Sequence, residues 1–455
     1  MMPCIVTKVN IIAAAKMTLK FDPSRFNTFS FRKHPRGEFL QRALADMFDS
    51  IDPYKVVKKY LQKKPIPSAK KIYAFGLGKA AIAMTQAIAD EISLTDSLII
   101  TKHASWLDTS TRLSASFQPA TVILGNHPIP SIESLKASSE AKKFLSQLTK
   151  DDLLICLISG GGSALMTAPI IPLSDLQKLT SALLNCGANI DEINTLRRHL
   201  DELKGGGFVE FANGAQIVSL ILSDVVGDSL ETIASGITAP DVTTIEDAIA
   251  ILEKYKIKNE ITTWRETLKP NHPIFERVAN QIIASNQTAL EFARSQIMAF
   301  SNKFTNQFQI KMITTTLQGE ASRVAKQLAV QFKAELQTTP RPFCLLAGGE
   351  TTVTVTGNGK GGRNQELALS TVEILSGLEN IFFISIATDG EDGSTDAAGA
   401  VVTGETYQRS KMLGLETADY KSRNNAYAFF AELDDLIKTG PSGTNVNDLV
   451  FCFAL

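Results

Sequence analysis

From about residue 37 the chain alternates between two hydrophobic periods. EFLQRALADMFDSI repeats its apolar positions at helical spacing, and KAAIAMTQAIADEI does the same at i, i+3 and i+4. Between them KIYAFGLG reads as a strand running into a loop. SLIITKH and TVILGNHP are short aliphatic strands, LLICLISGGG is a strand ending in glycines, and IVSLILSDVVGD is a strand with an acidic exit. Aliphatic strands separated by helices predict a parallel, doubly wound sheet with both faces covered. Between about 255 and 275 the sequence turns polar around Pro270 and Pro273, as a linker or the start of a second domain would. A long helix follows over ASNQTALEFARSQIMAF. From Pro340 the strand rhythm returns: FCLLAGGE, then TTVTVTGNG with clear alternation, a helix from about Arg363, IFFISIATDG, and a last strand within GTNVNDLVFCFAL.

Composition narrows the possibilities. The chain has 455 residues, 44% hydrophobic and 20% charged, with a net charge of −1. That supports two or three domains with sizeable cores. It provides no global basic field for nucleic acid or anionic lipid, so any anion site must be built locally. No apolar run approaches the roughly 20 residues of a membrane helix. The five cysteines (Cys4, Cys156, Cys186, Cys344, Cys452) show no CxxC pair, which fits core thiols in a reducing compartment. Residues 1–36 carry seven basic side chains (Lys8, Lys16, Lys20, Arg25, Arg32, Lys33, Arg36) against Asp22 alone. The bias weakly resembles an organellar transit segment, but it lacks a clear apolar region and arginine richness. The expectation is an irregular arm on a cytoplasmic protein, with a mitochondrial location as the alternative.

The candidate chemistry sits at strand ends, where open α/β sheets bind ligands. Gly76-Leu77-Gly78-Lys79-Ala80-Ala81 combines two glycines with a lysine entering a helix against its dipole. A tight turn with a snorkelling lysine is the plainer alternative. Ser159-Gly160-Gly161-Gly162-Ser163 suits close backbone approach to a phosphate or carboxylate, with a helix N-terminus behind it adding to that, or is a flexible turn. Arg197, Arg198 and Lys204 lie near a helix end, where they either complement the dipole or, for Arg197 or Lys204, join an anion pocket. Asp224 and Asp228 leave a strand as Mg²⁺ ligands would, or cap a helix. Gly348-Gly349-Glu350 and the glycines before Arg363, Asn364 and Gln365 form another such loop, its guanidinium suited to a phosphoryl or carboxylate group. Asp389, in ATDGEDGSTD, ends a buried strand and is a candidate Mg²⁺ ligand or base; the spacing does not complete a calcium loop. The polar turn around Asn445 either binds nucleotide or caps structure.

Positioned cations, Mg²⁺ and backbone donors are the kit of phosphoryl transfer. The chain lacks GxxxxGK[ST], the HRD and DFG set of protein kinases, and the GxSxG elbow of hydrolases. A nicotinamide enzyme would carry an acid at the end of the strand after the first glycine loop, yet that strand ends Thr101-Lys102-His103 with Asp96 before it.

The motifs GLGKAAIAM, HPIPSIES, LISGGGSALM, EINTLRRHLDELKGGG, LSDVVGD with IASGITAPD, GGETTVTVTGNGKGGRNQELAL, ATDGEDGSTDAAGA and TGPSGTNVNDL appear in one order over residues 37–455. In these the chain resembles the class II, MOFRL-containing glycerate 2-kinases. The resemblance implies ATP- and Mg²⁺-dependent phosphorylation of D-glycerate to 2-phosphoglycerate, and two α/β domains with the active site in the cleft between them. The expected division is an arm (1–36), a Rossmann-like α/β/α sandwich (37–265) and a smaller MOFRL-type domain (266–455), whose last strand could return to the first. Lys79 and Arg363 fall on the family's active-site cations, and Asp224 and Asp389 on its strand-end aspartates, as Mg²⁺ ligands or catalytic base. Gly76, Gly78, Ser159 to Ser163 (with Gly160, Gly161 and Gly162), Arg197, Gly348, Gly349, Glu350, Asn364 and Asn445 are the expected substrate- or nucleotide-binding positions. A small-molecule partner is expected, with neither nucleic acid nor membrane, and a homodimer is compatible. The chain departs from the family at Ile237, where a proline should tighten the turn, at Arg198 for lysine, and at Asp201 for serine, which should add negative charge near Arg197 and Arg198. The competing activity is an NAD(P)-dependent reductase of hydroxypyruvate or tartronate semialdehyde.

Overall fold

Strands that are apolar along their whole length need cover on both faces, and Leu153–Ile158, buried at every position, has it. The computed structural model describes residues 7–8, 21–102, 120–126, 129–258, 261–300 and 308–455. These fall into two compact units, residues 7–8 with 53–283 and residues 21–52 with 284–455. Cys4, Lys16, Lys20 and His103 lie outside the described residues.

The first unit contains a seven-stranded sheet. Its strands are β1 (Thr7–Lys8), β2 (Ile72–Leu77), β3 (Asp96–Thr101), β4 (Thr121–Leu124), β5 (Leu153–Ile158), β6 (Gln216–Leu222) and β7 (Val278–Ala284), in the order β1-β4-β3-β2-β5-β6-β7. The pairs β2–β3, β3–β4, β2–β5 and β5–β6 are parallel, and β1 pairs antiparallel with β4. The expected doubly wound sheet is therefore present. Strand order reverses between β2 and β5, and in such sheets that reversal opens the ligand crevice. Phe75 on β2 packs against Phe208 (ring centroids 4.7 Å apart) in a core with Phe144, Cys156 and Ile237.

The second unit is built differently. β8 (Gln309–Leu317), β9 (Phe343–Gly349), β10 (Ile381–Ala387), β11 (Gly399–Val402), β12 (Leu436–Ile437) and β13 (Asp448–Ala454) form one sheet in the order β12-β11-β10-β13-β9-β8. Only β8–β9 is parallel; β13 pairs antiparallel with both β9 and β10. The last strand thus sits inside the second sheet and does not return to the first. TTVTVTGNG forms no strand despite its alternation. Its backbone is satisfied by side chains: Thr354 N–H donates to the Glu320 carboxylate, and Thr356 and Gly357 N–H donate to Asn424 Oδ1.

Residues 21–36 are also not an irregular arm. A 3₁₀ turn (Pro23–Phe26) and a short helix (Phe29–Lys33) bury Phe26 and Phe31. Ser30 N–H and Oγ–H donate to the buried Asp435 carboxylate at 2.8 and 2.9 Å, which also pairs with Arg409. The helix Gly37–Ser50 continues this layer with Phe39 against Phe308 and Phe453. Arg25, Arg32, Lys33 and Arg36 suggest a solvated segment; its phenylalanines decide otherwise.

Candidate functional site

At the strand reversal the first two glycine loops are one structure. Lys79 N–H donates to Gly160 O (3.0 Å), Ala80 N–H donates to Ser159 Oγ (3.0 Å), and Gly78 N–H donates to Ile100 O (3.0 Å). Gly78 has φ +116°, and a Cβ there would stand 2.4 Å from Ser159 O. Ser159, 2% exposed, is a strut between the loops, and Gly76 lies buried within β2. The helix α1 (Ala81–Ala89) begins two residues after Lys79, which is half-buried on the loop. The SGGGS segment opens only a four-residue helix, α2 (Gly162–Leu165), with Gly161 left-handed as its cap. A single turn adds little dipole, so the loop's own N–H groups are what it offers a ligand.

Asp224, two residues beyond β6, brings its carboxylate against this loop. A Cβ on Gly160 would meet Asp224 Oδ2 at 1.9 Å. The glycine is there to admit the carboxylate. Asp228, on the same exit, takes a left-handed turn conformation (φ 56°).

The helix α3 (Ile190–His199) carries the basic cluster. Arg198 is buried and paired with Asp241 (2.9 Å), and its Nη1–H donates to Glu231 O (3.1 Å). Lys204 is equally buried. Its Nζ pairs with Asp201 (2.7 Å) and donates to Met166 O, while Asp201 accepts from Thr167 Oγ1 (2.7 Å) and Ala168 N–H (2.8 Å). Lys204 therefore holds the fold rather than a ligand, and Asp201 faces Lys204, not Arg197 or Arg198 as expected. The turn after α3 is held without proline: Gly205 and Gly206 N–H donate to Ser235 O and Gly236 O, and Ile237 is buried in the core. Ala234, Ser235 and Gly236 are all left-handed (φ 49°, 55° and 67°), a strained arrangement for the two non-glycines.

In the second unit Arg363 opens the helix α4 (Arg363–Leu369). Its Nε–H and Nη2–H donate to the two oxygens of Asp448 (2.5 and 3.0 Å), and Nη1 pairs with Glu350 at 2.9 Å. Burial alone would lower the guanidinium pKa; Asp448 and Glu350 outweigh it, so the net shift is upward. Three of five N–H groups are engaged and the side chain stays 29% exposed. Gly348 and Gly349 end β9, opposite Leu449 and Asp448. Asn364 turns inward: Nδ2–H donates to Asp392 and Oδ1 accepts from Ser385 Oγ, so it supports the helix. Asp392 caps α4 through Asn364 and Gln365 N–H (3.1 and 2.9 Å), and burial, aided by the Asp448 charge, raises its pKa to about 7. Asp389 follows β10, half-buried, with Oδ1 accepting from Glu391 N–H. Asn445 Oδ1 accepts from Asn447 N–H, a turn-capping role.

Among the described residues no group of three or more His, Cys, Asp or Glu side chains could enclose a metal ion. Mg²⁺ needs no such cage, since one or two carboxylates plus waters and phosphate oxygens suffice. Asp224, held against the glycine loop at Gly160, fits that donor set. Sequence reasoning misses Asp448 and Glu350 as the partners of Arg363, and Asp392 as the cap of α4. The usable signal for Asp448 was an acid opening an otherwise apolar strand.

Residues 39–268 match a family described as a domain of unknown function (DUF4147), and residues 343–448 match the MOFRL family. The chain is 36% identical to the D-glycerate 2-kinase of Thermotoga maritima over 409 residues, 88% of this chain and 94% of that one. It is 37% identical to the glycerate 2-kinase of Pyrococcus horikoshii over 90% of this chain and 95% of that one. Among solved structures, a Thermotoga maritima glycerate kinase superposes with a TM-score of 0.80 at 34% identity, over 91% of this chain and 98% of that chain. A Pyrococcus horikoshii protein superposes with a TM-score of 0.75 at 36% identity, over 92% and 98%. No helix among the described residues is long and apolar enough to cross a membrane.

Proposed function

Because the chain belongs to the MOFRL-containing glycerate kinase family, we propose that it transfers the γ-phosphoryl group of ATP to the 2-hydroxyl of D-glycerate, giving 2-phosphoglycerate and ADP. The observation that carries this reading is the joint made by Lys79, Gly160 and Asp224. A lysine-bearing loop is hydrogen-bonded to a glycine loop, and a carboxylate is set against that same loop. Phosphoryl transfer asks for cations, backbone donors and a carboxylate in this way.

In this reading the glycine loop at Gly160–Gly162 donates N–H groups to phosphate oxygens. Lys79 and Arg363 neutralise charge that builds on the transferring phosphoryl group. The hydroxyl oxygen attacks phosphorus as the bond to ADP breaks, and its proton passes to a carboxylate, Asp224 or Asp389. The aspartate that does not take the proton would hold Mg²⁺, which supplies charge neutralisation on the phosphates. Arg363, fixed by Asp448 and Glu350, cannot swing freely, so its exposed edge is pre-aimed. The thiols of Cys156, Cys186, Cys344 and Cys452 are unpaired, which supports work in the cytoplasm.

The test is glycerate-dependent ADP release with ATP and Mg²⁺, with phosphorus NMR of the product. A 2-phosphoglycerate signal is expected. No turnover by folded protein would sink the reading, and a 3-phosphoglycerate signal would move the attacking hydroxyl.

A further inference from the structure

The basic end of α3 does not balance its charges. Arg198 is matched by Asp241 and Lys204 by Asp201. Arg197, directly before Arg198 in sequence, has no carboxylate partner among the described residues. Its recorded hydrogen bond runs from Nη1–H to the amide oxygen of Asn194 at 3.4 Å, and burial depresses its pKa with no acid offsetting the effect. It adds to the positive potential felt by Lys204. One positive charge is therefore left over in a largely desolvated place. A cation near a helix C-terminus often just complements the dipole, but this one is tied to a side chain, not to the terminal carbonyls.

The same Asn194 oxygen accepts from Ser235 Oγ–H (3.4 Å), and the Ser235 hydroxyl shares a hydrogen bond with Ser163 Oγ (2.7 Å). Ser163 closes the SGGGS loop. Ser235 is wholly buried and sits in the run of left-handed residues. That strain, of order 1 kcal/mol or more per non-glycine residue, aims the hydroxyl at the loop. Asn194, 2% exposed, thus orients both the guanidinium and the serine pair.

We propose that Arg197, Asn194, Ser235 and Ser163 form the subsite for the carboxylate of the hydroxy-acid substrate, with Arg197 as its ionic anchor and Asn194 and Ser235 as positioning residues. This rests on the glycerate reading above and deepens it. A single carboxylate closes the charge balance and matches the planar fork of a guanidinium. A triphosphate carries several more negative charges than one arginine neutralises. The subsite would also set specificity, since a neutral analogue leaves a half-buried guanidinium unpaired.

The test is calorimetric binding of D-glycerate and of its neutral amide, glyceramide, to the full-length protein, alongside steady-state KM for ATP. Wild type should prefer glycerate strongly. Arg197→Ala should weaken glycerate binding by about 100-fold, leave glyceramide binding nearly unchanged, and leave KM for ATP within about twofold. Arg197→Lys keeps the charge without the fork and should lose about tenfold, which guards against misfolding of the alanine variant. Unchanged glycerate binding in Arg197→Lys and Arg197→Ala, or a loss confined to ATP, overturns the subsite. If wild type binds glycerate through Arg197 yet phosphorylates none, the kinase reading fails and the subsite stands. If wild type binds no glycerate, both fall.

Discussion

Asp448 holds Arg363 with both carboxylate oxygens, one on Nε–H and one on Nη2–H. A fork-to-fork pair fixes direction as well as charge. Asp448→Asn should therefore lower kcat by roughly 10- to 100-fold through misplacement of the guanidinium, while the protein stays folded. Arg363→Ala and Lys79→Ala should each lower kcat by about 10³-fold, with circular dichroism unchanged. Near wild-type turnover in either alanine variant would remove that residue from the chemistry.

Gly160 admits a carboxylate where a methyl group cannot fit, 1.9 Å from Asp224 Oδ2. Gly160→Ala should push Asp224 aside and lower kcat by about 100-fold or more. Gly227→Ala provides the contrast. Its φ is +84° and its surroundings are open, so the cost is about 1 kcal/mol of stability with kcat retained. Equal kcat losses in the two variants would mean that the Gly160 effect is general loop strain.

Lys204 is paired with Asp201 out of solvent, both side chains at most 3% exposed. Lys204→Met leaves that carboxylate as a lone buried charge, which should cost about 3–5 kcal/mol. Urea denaturation should show it as a lower midpoint. A midpoint shift within error would mean that Asp201 finds water or another partner.

Glu366 and Asp392 are buried carboxyls whose pKa values burial raises to about 7, from ordinary values of 4.5 and 3.8. The folded state then binds protons that the unfolded state has released. The stability these groups contribute is complete below about pH 4 and is lost as pH rises through 7. Glu366→Gln should flatten this slope, adding roughly 1–3 kcal/mol relative to wild type at pH 8.5 and little at pH 4.5. Melting temperatures at the two pH values check it; a gain that does not depend on pH would rule out titration as the cause.

The sequence announces its strands and glycine loops because burial and close approach constrain residue type locally. LLICLIS reads as a covered strand, and SGGGS as either a close approach to the backbone or a flexible turn. It could not announce partners distant in the chain. Nothing near Arg363 indicates that Asp448, 85 residues away, would clamp it, and nothing in TTVTVTGNG shows that Glu320 and Asn424 would take its N–H groups. Asp201 misled in the same way, because its charge was weighed against Arg197 and Arg198, adjacent in sequence, while Lys204 lay one turn on. The serine and asparagine behind Arg197 were equally hidden, since their meaning depends on a strained turn some forty residues from the helix.

The position of β13 bears on how the protein is made. The first sheet has all its strands once about 284 residues have left the ribosome. The second sheet keeps its inner strand for residues 448–454, while its helical layer at 21–50 is made some 400 residues earlier. Contacts spanning over 400 residues, such as Ser30 with Asp435, form last and slowly. Until then the edges of β9 and β10 that β13 covers are open, and exposed apolar strand edges of this kind are prone to aggregate. A nonsense codon even a few residues before Asp448 would remove a strand from the middle of the sheet and the clamp on Arg363 together, leaving a folded first unit joined to an unfinished second one.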